Sequence, residues 1–197
     1  MGDVLKKSPL ESPMFKIMSN ALASTETPQA INTLVSVIEA RQQDEAVVME
    51  LLQILAITTK PTDKAINIVK KLAFSTNNVA IASTAQLALG GLSGNMKTIN
   101  PEKADAVIDF LINKMHGQTD TFQEILVLGN TGSPKVLPIM KSYIYSSASP
   151  EIRAAAVASL RLVEQNEVQN LLASLSVSKD SILSKAAIET IDFRASH

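Results

Sequence analysis

The sequence predicts an all-α fold, a right-handed α–α superhelix of about five helix pairs preceded by an N-terminal helix. Three observations predict it. Hydrophobic residues make up 46% of the 197 positions but aromatics only 4%, with no Trp and seven Gly. The apolar mass is therefore Ala, Leu, Ile and Val, and Ala and Leu are strong helix formers. Apolar residues recur at i, i+3, i+4 and i+7, the stripe of an amphipathic helix, in five separate segments. Helix-start signals return at nearly constant intervals, the mark of stacked repeats.

Residues 1–11 carry no periodic pattern and are expected to be unstructured. A helix near 13–23 opens at Ser12-Pro13 and would cover the first pair through Met14, Ile17, Met18 and Ala21. Four first helices then begin at Thr27-Pro28, Thr62-Asp63, Asn100-Pro101 and Ser133-Pro134, spaced roughly 35, 38 and 33 residues apart. Each start offers a side-chain oxygen to cap free N–H groups, with Pro or Asp in the first turn. A weaker fifth start lies near Glu164 to Asn166. The repeats are thus 27–60, 62–99, 100–132, 133–163 and 164–193, within one domain spanning 1–197.

The stripe reads Ile31, Leu34, Val35 and Ile38 in the first repeat. It returns at Ile66, Val69 and Ala73, at Ala104, Val107, Ile108, Leu111, Ile112 and Met115, and at Leu137, Met140 and Ile144. Val168, Leu171, Leu172 and Leu175 complete the series. Second helices start at Asp44, Asn77, Thr119-Asp120, Ser149-Pro150 and Asp180. They are richer in small residues, such as Ala80, Ala82, Ala85 and Ala88, as close packing on several neighbours requires. The segment 90–100 holds Gly90, Gly91 and Gly94, and predicts a helix end followed by a long loop.

Ser133-Pro-Lys-Val-Leu-Pro-Ile-Met, a turn, and then Ser149-Pro-Glu-Ile-Arg-Ala-Ala-Ala-Val-Ala-Ser-Leu160 resemble a HEAT repeat. Leu137-Pro138, Ile152-Arg153, Ala156 and Leu160 occupy the positions that carry the resemblance. The fold it implies is a HEAT/armadillo-like solenoid, in which Arg153 ties adjacent helices together. Leu126-Val-Leu-Gly-Asn-Thr-Gly132, running on into the same repeat, is similar to the helical domain of vitellogenin and other large lipid-transfer proteins. Ser83 to Gly90 has a similar character, so the likeness covers about residues 80–165. It implies a two-layered helical superhelix that, in those proteins, wraps lipid-binding sheets.

Composition narrows the chemistry. With no Cys, disulfides, thiolate metal sites and cysteine nucleophiles are excluded. Lys plus Arg is 18 and Asp plus Glu 19, spread without a run of one sign, which argues against nucleic acid as a partner. Only His116 and His197 are available as imidazole bases, and Glu102, Asp105 and Asp109 read as a solvated helix face. The expectation is therefore a chain that is not an enzyme, with no cofactor and no metal. Its expected role is a binding scaffold for another protein, with a vitellogenin-like lipid-transport domain as the alternative and a HEAT-like enzyme as a remote one. Glu45, Gln53, Gln86, Gln123, Arg153 and Arg161 are the residues expected on the concave binding face.

No apolar run approaches the ~20 residues a membrane span needs. The opening Met-Gly-Asp-Val-Leu-Lys is neither a signal nor a transit sequence, and the sequence indicates no compartment. The last helix carries Ile182, Leu183, Ile188, Ile191 and Phe193 without a stop signal. That predicts either further repeats beyond His197 or a homodimer through this end.

Overall fold

A computed structural model describes residues 2–117 and 120–196. Among them are twelve α-helices and no strand: α1 Gly2–Lys7, α2 Pro13–Thr25, α3 Pro28–Ala40, α4 Glu45–Ala56, α5 Asp63–Ser75 and α6 Val79–Asn95. After these come α7 Pro101–Met115, α8 Thr121–Asn130, α9 Leu137–Ile144, α10 Pro150–Ala158, α11 Asn166–Ser176 and α12 Ser181–Ser196. The residues fall into two compact units, Met1–Asp105 and Ala106–His197, divided inside α7.

Most of the predicted starts are real caps, but Ser12 ahead of α2 and Gln165 ahead of α11 make no side-chain cap bond. Thr27 Oγ1 accepts from the Ala30 N–H at 3.3 Å, Thr62 Oγ1 from Ala65 at 3.1 Å and Asn100 Oδ1 from Lys103 at 3.1 Å. Asp44, Asp120 and Asp180 do the same for Val47, Gln123 and Leu183 at 3.2, 3.0 and 3.2 Å. Such a cap stabilises its helix by about 1 kcal/mol. One start is displaced: Asn78, not Asn77, caps α6 through the Ile81 N–H. Thr119 of the third second-helix start lies outside the described residues, as does His197. Ser133 opens a short 3₁₀ turn, Pro134–Val136, ahead of α9. Pro138 then sits in the first turn of α9, where its missing N–H costs nothing.

In the first unit, first helices α1, α3 and α5 lie side by side, and second helices α2, α4 and α6 form the other layer. Residues 2–7 are therefore not unstructured: α1 is the first helix of an extra pair with α2, and its Leu5 is fully buried. The expectation missed Arg41, in the turn after α3. Its Nη1 donates to the Ser8 carbonyl at 2.6 Å, its Nη2 to Asp44, and its guanidinium carbon lies 5.8 Å from the centre of the Phe15 ring. One side chain thus holds the carbonyl end of α1, the α2 ring and the α4 cap.

The helix α2 forms where expected but faces the other way. Phe15, Ser19, Leu22 and Ala23 are buried, whereas Met14 and Ile17 are 52% and 64% exposed. The sequence offers two stripes one residue apart, and Ser19 disguises the true one. Its hydroxyl donates to the Phe15 carbonyl at 2.7 Å, so the polar group enters the core already satisfied.

The glycine-rich loop predicted at 90–100 does not exist. α6 continues through Gly90, Gly91 and Gly94 to Asn95, leaving only a turn of 96–100. A Cβ on Gly91 would lie 3.0 Å from the Ala56 carbonyl oxygen, so this half of α6 lies directly on the end of α4. Asn95 Nδ2 donates to that same carbonyl at 2.9 Å.

In the second unit the second helices α8, α10 and α12 pack in succession, with α9 against α10 and α11 against α12. Val107, Ile108, Leu111, Ile125, Leu128, Met140, Val157 and Leu172 fill the interior. Gly129 of α8 meets the 3₁₀ segment Ser159–Leu162 at close range, and Gly132, at φ 54°, makes the left-handed turn after α8 that a side chain would resist.

Successive repeats are also joined by polar bonds. In the first-helix layers the ion pairs are Glu39–Lys64 at 2.7 Å, Asp63–Lys103 at 2.8 Å, Asp109–Lys135 at 2.8 Å and Lys141–Glu167. At the C-terminal ends of second helices, Glu26 accepts from Thr59, and Arg194 donates to the carbonyls of Leu160 and Val163 at 3.1 and 2.7 Å. The exposed pairs contribute little each. The arginine bonds to helix-end carbonyls satisfy acceptors that would otherwise lack partners.

Candidate functional site

Among the residues expected on a binding face, Glu45, Gln86, Arg153 and Arg161 have side chains bonded to neighbouring elements. Glu45 accepts from Asn78 Nδ2 at 2.7 Å, and Gln86 Nε2 donates to the Ala73 carbonyl at the end of α5, 3.1 Å away. Arg161 Nη2 donates to Asn130 Oδ1 at 2.8 Å. Arg153 Nε donates to the Ile144 carbonyl and its Nη1 to Asp180 Oδ2, both at 2.9 Å. Arg153 therefore joins α9, α10 and the cap of α12. Gln53 is exposed on α4, and Gln123 is half-buried in the first turn of α8.

The Arg153 bond has a pH consequence. Backbone N–H groups of Leu183 and Ile182, with Arg153, hold the Asp180 carboxyl below its ordinary 3.8. The Arg41 guanidinium does the same for Asp44. A carboxyl whose folded pKa is depressed contributes stability above its unfolded value and loses it as pH falls through the folded value. Urea unfolding should therefore show stability declining from about pH 4 downward. Asp180→Asn, which keeps a capping oxygen, should flatten that decline; an unchanged slope would remove Asp180 from the account.

His116, just beyond the end of α7, contacts a buried acid. Its Nδ1 lies 2.9 Å from Glu124 Oε1, and the Gly117 N–H donates to Glu124 Oε2 at 3.2 Å. The Glu124 side chain is fully buried while that of His116 is 55% exposed. Tyr143, on α9, donates its hydroxyl to the same carboxylate. Burial, then that hydrogen bond, then the carboxylate charge push the Tyr143 phenol up to about 12. Sequence reasoning missed Glu124 because it occupies a stripe position on α8, where Glu signals solvent.

Beside this cluster, in the second unit, is an open groove of about 680 Å³. Phe122 from α8 and Ile152 from α10 give it apolar walls, and the end of α9 supplies Tyr143. Asp120 is the single charged residue on its described lining. No group of three or more His, Asp or Glu that could hold a metal ion occurs among the described residues.

Two apolar faces are open. On α2 they are Met14, Ile17 and Ala21, and on α12 Ile182 and Ile188 are 44% and 46% exposed with Ile191 beside them. Leu183 is buried and Phe193 half-buried, so the predicted row splits between the two sides of α12. No helix among the described residues is long and apolar enough to cross a membrane.

No curated protein matches the chain. Among solved structures, human deoxyhypusine hydroxylase in complex with glycerol aligns over 100% of this chain and 95% of its own, at 11% identity and a TM-score of 0.40. That protein is an enzyme, so the expectation that this chain is not one is withdrawn; at this score the likeness assigns it no activity. The model of the vitellogenin TPR domain matches residues 4–180, from α1 to the cap of α12. TPR and HEAT repeats are both stacked helix pairs, which is the arrangement within each unit. The chain belongs to the vitellogenin TPR domain family.

Proposed function

We propose that this chain is the helical domain of a vitellogenin-like lipid-transport protein and that it meets lipid through its open apolar faces. Family membership over residues 4–180 carries the reading. The exposed row Met14, Ile17 and Ala21 on α2 supports it, because a second-helix layer with a bare apolar edge is built to be covered. Lys16 and Asn20 flank that row, so the helix presents apolar residues within a polar border. The expected result is flotation of the full chain with phosphatidylcholine vesicles. A Met14→Glu/Ile17→Glu double variant should stay at the bottom of the gradient with unchanged helical circular dichroism. Failure of the unmodified chain to float, with no lipid retained in native mass spectra, would remove the lipid reading.

A second reading, a protein partner or a second copy, is favoured by the exposed Ile182 and Ile188 on α12. Gln53 and Gln123, with Glu45, Gln86, Arg153 and Arg161, are the second-helix residues such a partner would read.

A further inference from the structure

From the groove beside Glu124 we infer a binding site for a basic side chain, arginine or lysine, presented by a partner protein. The chemistry of the lining selects the ligand. Asp120 is the charged residue on the described lining, and no Lys or Arg lines it. The nearby Arg153 is engaged by the Ile144 carbonyl and Asp180.

The hydroxyl groups reinforce the sign. Ser142 donates its proton to the Ile139 carbonyl at 2.7 Å, and Ser146 donates to the Tyr143 carbonyl at 2.8 Å. Tyr143 donates to Glu124. With their protons committed inside the protein, these oxygens can offer a ligand only lone pairs. Together the Asp120 carboxylate and these three oxygens, beside the Thr121 and Ser147 hydroxyls that can donate or accept, suit a ligand that is all donors, which describes a guanidinium or an ammonium.

The apolar part of the lining suits the stem of such a side chain. The chain has only five Phe and two Tyr, yet Phe122 and Tyr143 both line this groove, and Phe122 is 47% exposed. An aromatic face attracts a cation and also covers methylene groups. The last turn of α9 is the negative end of that helix, but the first turns of α8 and α10 also border the groove as positive ends, so the sign is set by the Asp120 carboxylate and not by the helices. A groove this open encloses a free small molecule poorly; a side chain held on a partner's backbone has less freedom to lose on entering it. The assignment does not rest on the lipid reading, because the open apolar faces play no part in it.

The test is a ¹H–¹⁵N titration of the full chain with acetyl-Gly-Arg-Gly-amide, with acetyl-Gly-Glu-Gly-amide and spermidine as comparisons. The arginine peptide should shift the amides of Thr121 to Gln123, Ser142 to Ala148 and Ile152 saturably, and the glutamate peptide should not. Asp120→Asn removes the charge but keeps the capping oxygen of α8. That change and Phe122→Ala should each weaken binding by about tenfold, with helicity unchanged. Absence of saturable shifts, an equal response to the glutamate peptide, or undiminished affinity in both variants would overturn the site. Tighter binding of spermidine than of the arginine peptide would overturn its assignment to a protein partner.

Discussion

Gly129→Ala should lower the unfolding free energy by about 1–2 kcal/mol, and Gly129→Val by more than about 3 kcal/mol, in urea denaturation. A Cβ at this position would lie 2.6 Å from the Ser159 Cβ, 3.1 Å from its Cα and 3.2 Å from its carbonyl oxygen. None of these atoms is the end of a flexible side chain, so the backbone of the Ser159–Leu162 segment must move. Overpacking of that kind costs about 1–3 kcal/mol. An alanine returns up to about 1 kcal/mol through helix propensity, which reduces the loss without reversing it. Valine adds two methyl groups to the same contact and forgoes most of the propensity gain.

Gly91→Ala provides the comparison. Its Cβ would meet the Ala56 oxygen at 3.0 Å, so a shift of a few tenths of an ångström relieves the contact and the propensity gain of about 1 kcal/mol offsets it. That variant should fall close to the unmodified chain. Equal stability of Gly129→Ala and Gly91→Ala would mean that α8 and the 159–162 segment can separate without loss.

What the sequence made legible follows from which forces act locally. Caps are local chemistry: a side-chain oxygen bonds the N–H three residues on, so Thr27, Asp44, Thr62, Asn100 and Asp180 announced their helices. The glycines of α6 misled because two effects compete there. In isolation Gly90, Gly91 and Gly94 weaken a helix, but at Gly91 the close approach of the Ala56 carbonyl, far away in sequence, rewards the absence of a side chain. The inverted face of α2 has the same origin. Nothing within residues 12–25 records that Phe15 will lie under Arg41. Arg153 was read correctly as a tie because its repeat resembles HEAT, whereas Arg41 and Arg194 perform comparable work without any motif. The groove was invisible because its residues come from three helices whose proximity depends on the stacking.

Glu124→Ala should cost about 3 kcal/mol, and Glu124→Gln about 1 kcal/mol. The carboxylate is fully buried and receives donors from His116, Gly117 and Tyr143. Removing it with alanine leaves a cavity and strands the Tyr143 hydroxyl. His116 and Gly117 are exposed and turn to water at little cost, which keeps the loss at the lower end of the range for a broken buried pair. Glutamine fills the volume and still accepts from one donor, while the Tyr143 hydroxyl can rotate to accept from the amide. A second measurement separates the charge from the packing. In a Tyr145→Phe background Tyr143 is the one tyrosine, so tyrosinate absorbance reports it alone. Its phenol, pushed up to about 12, should titrate lower in Glu124→Gln, because the carboxylate's hydrogen bond and charge are gone. It should stay above the ordinary 10.0, because burial, the largest cause, remains. The sign for stability follows: a phenol whose folded pKa is raised contributes stability below about pH 10 and loses it as pH rises through about 12. The unmodified chain should therefore lose stability across that window more steeply than Glu124→Gln. Identical Tyr143 titrations in the two proteins would detach the tyrosine from the buried glutamate, and with it the acceptor-only account of the groove's floor.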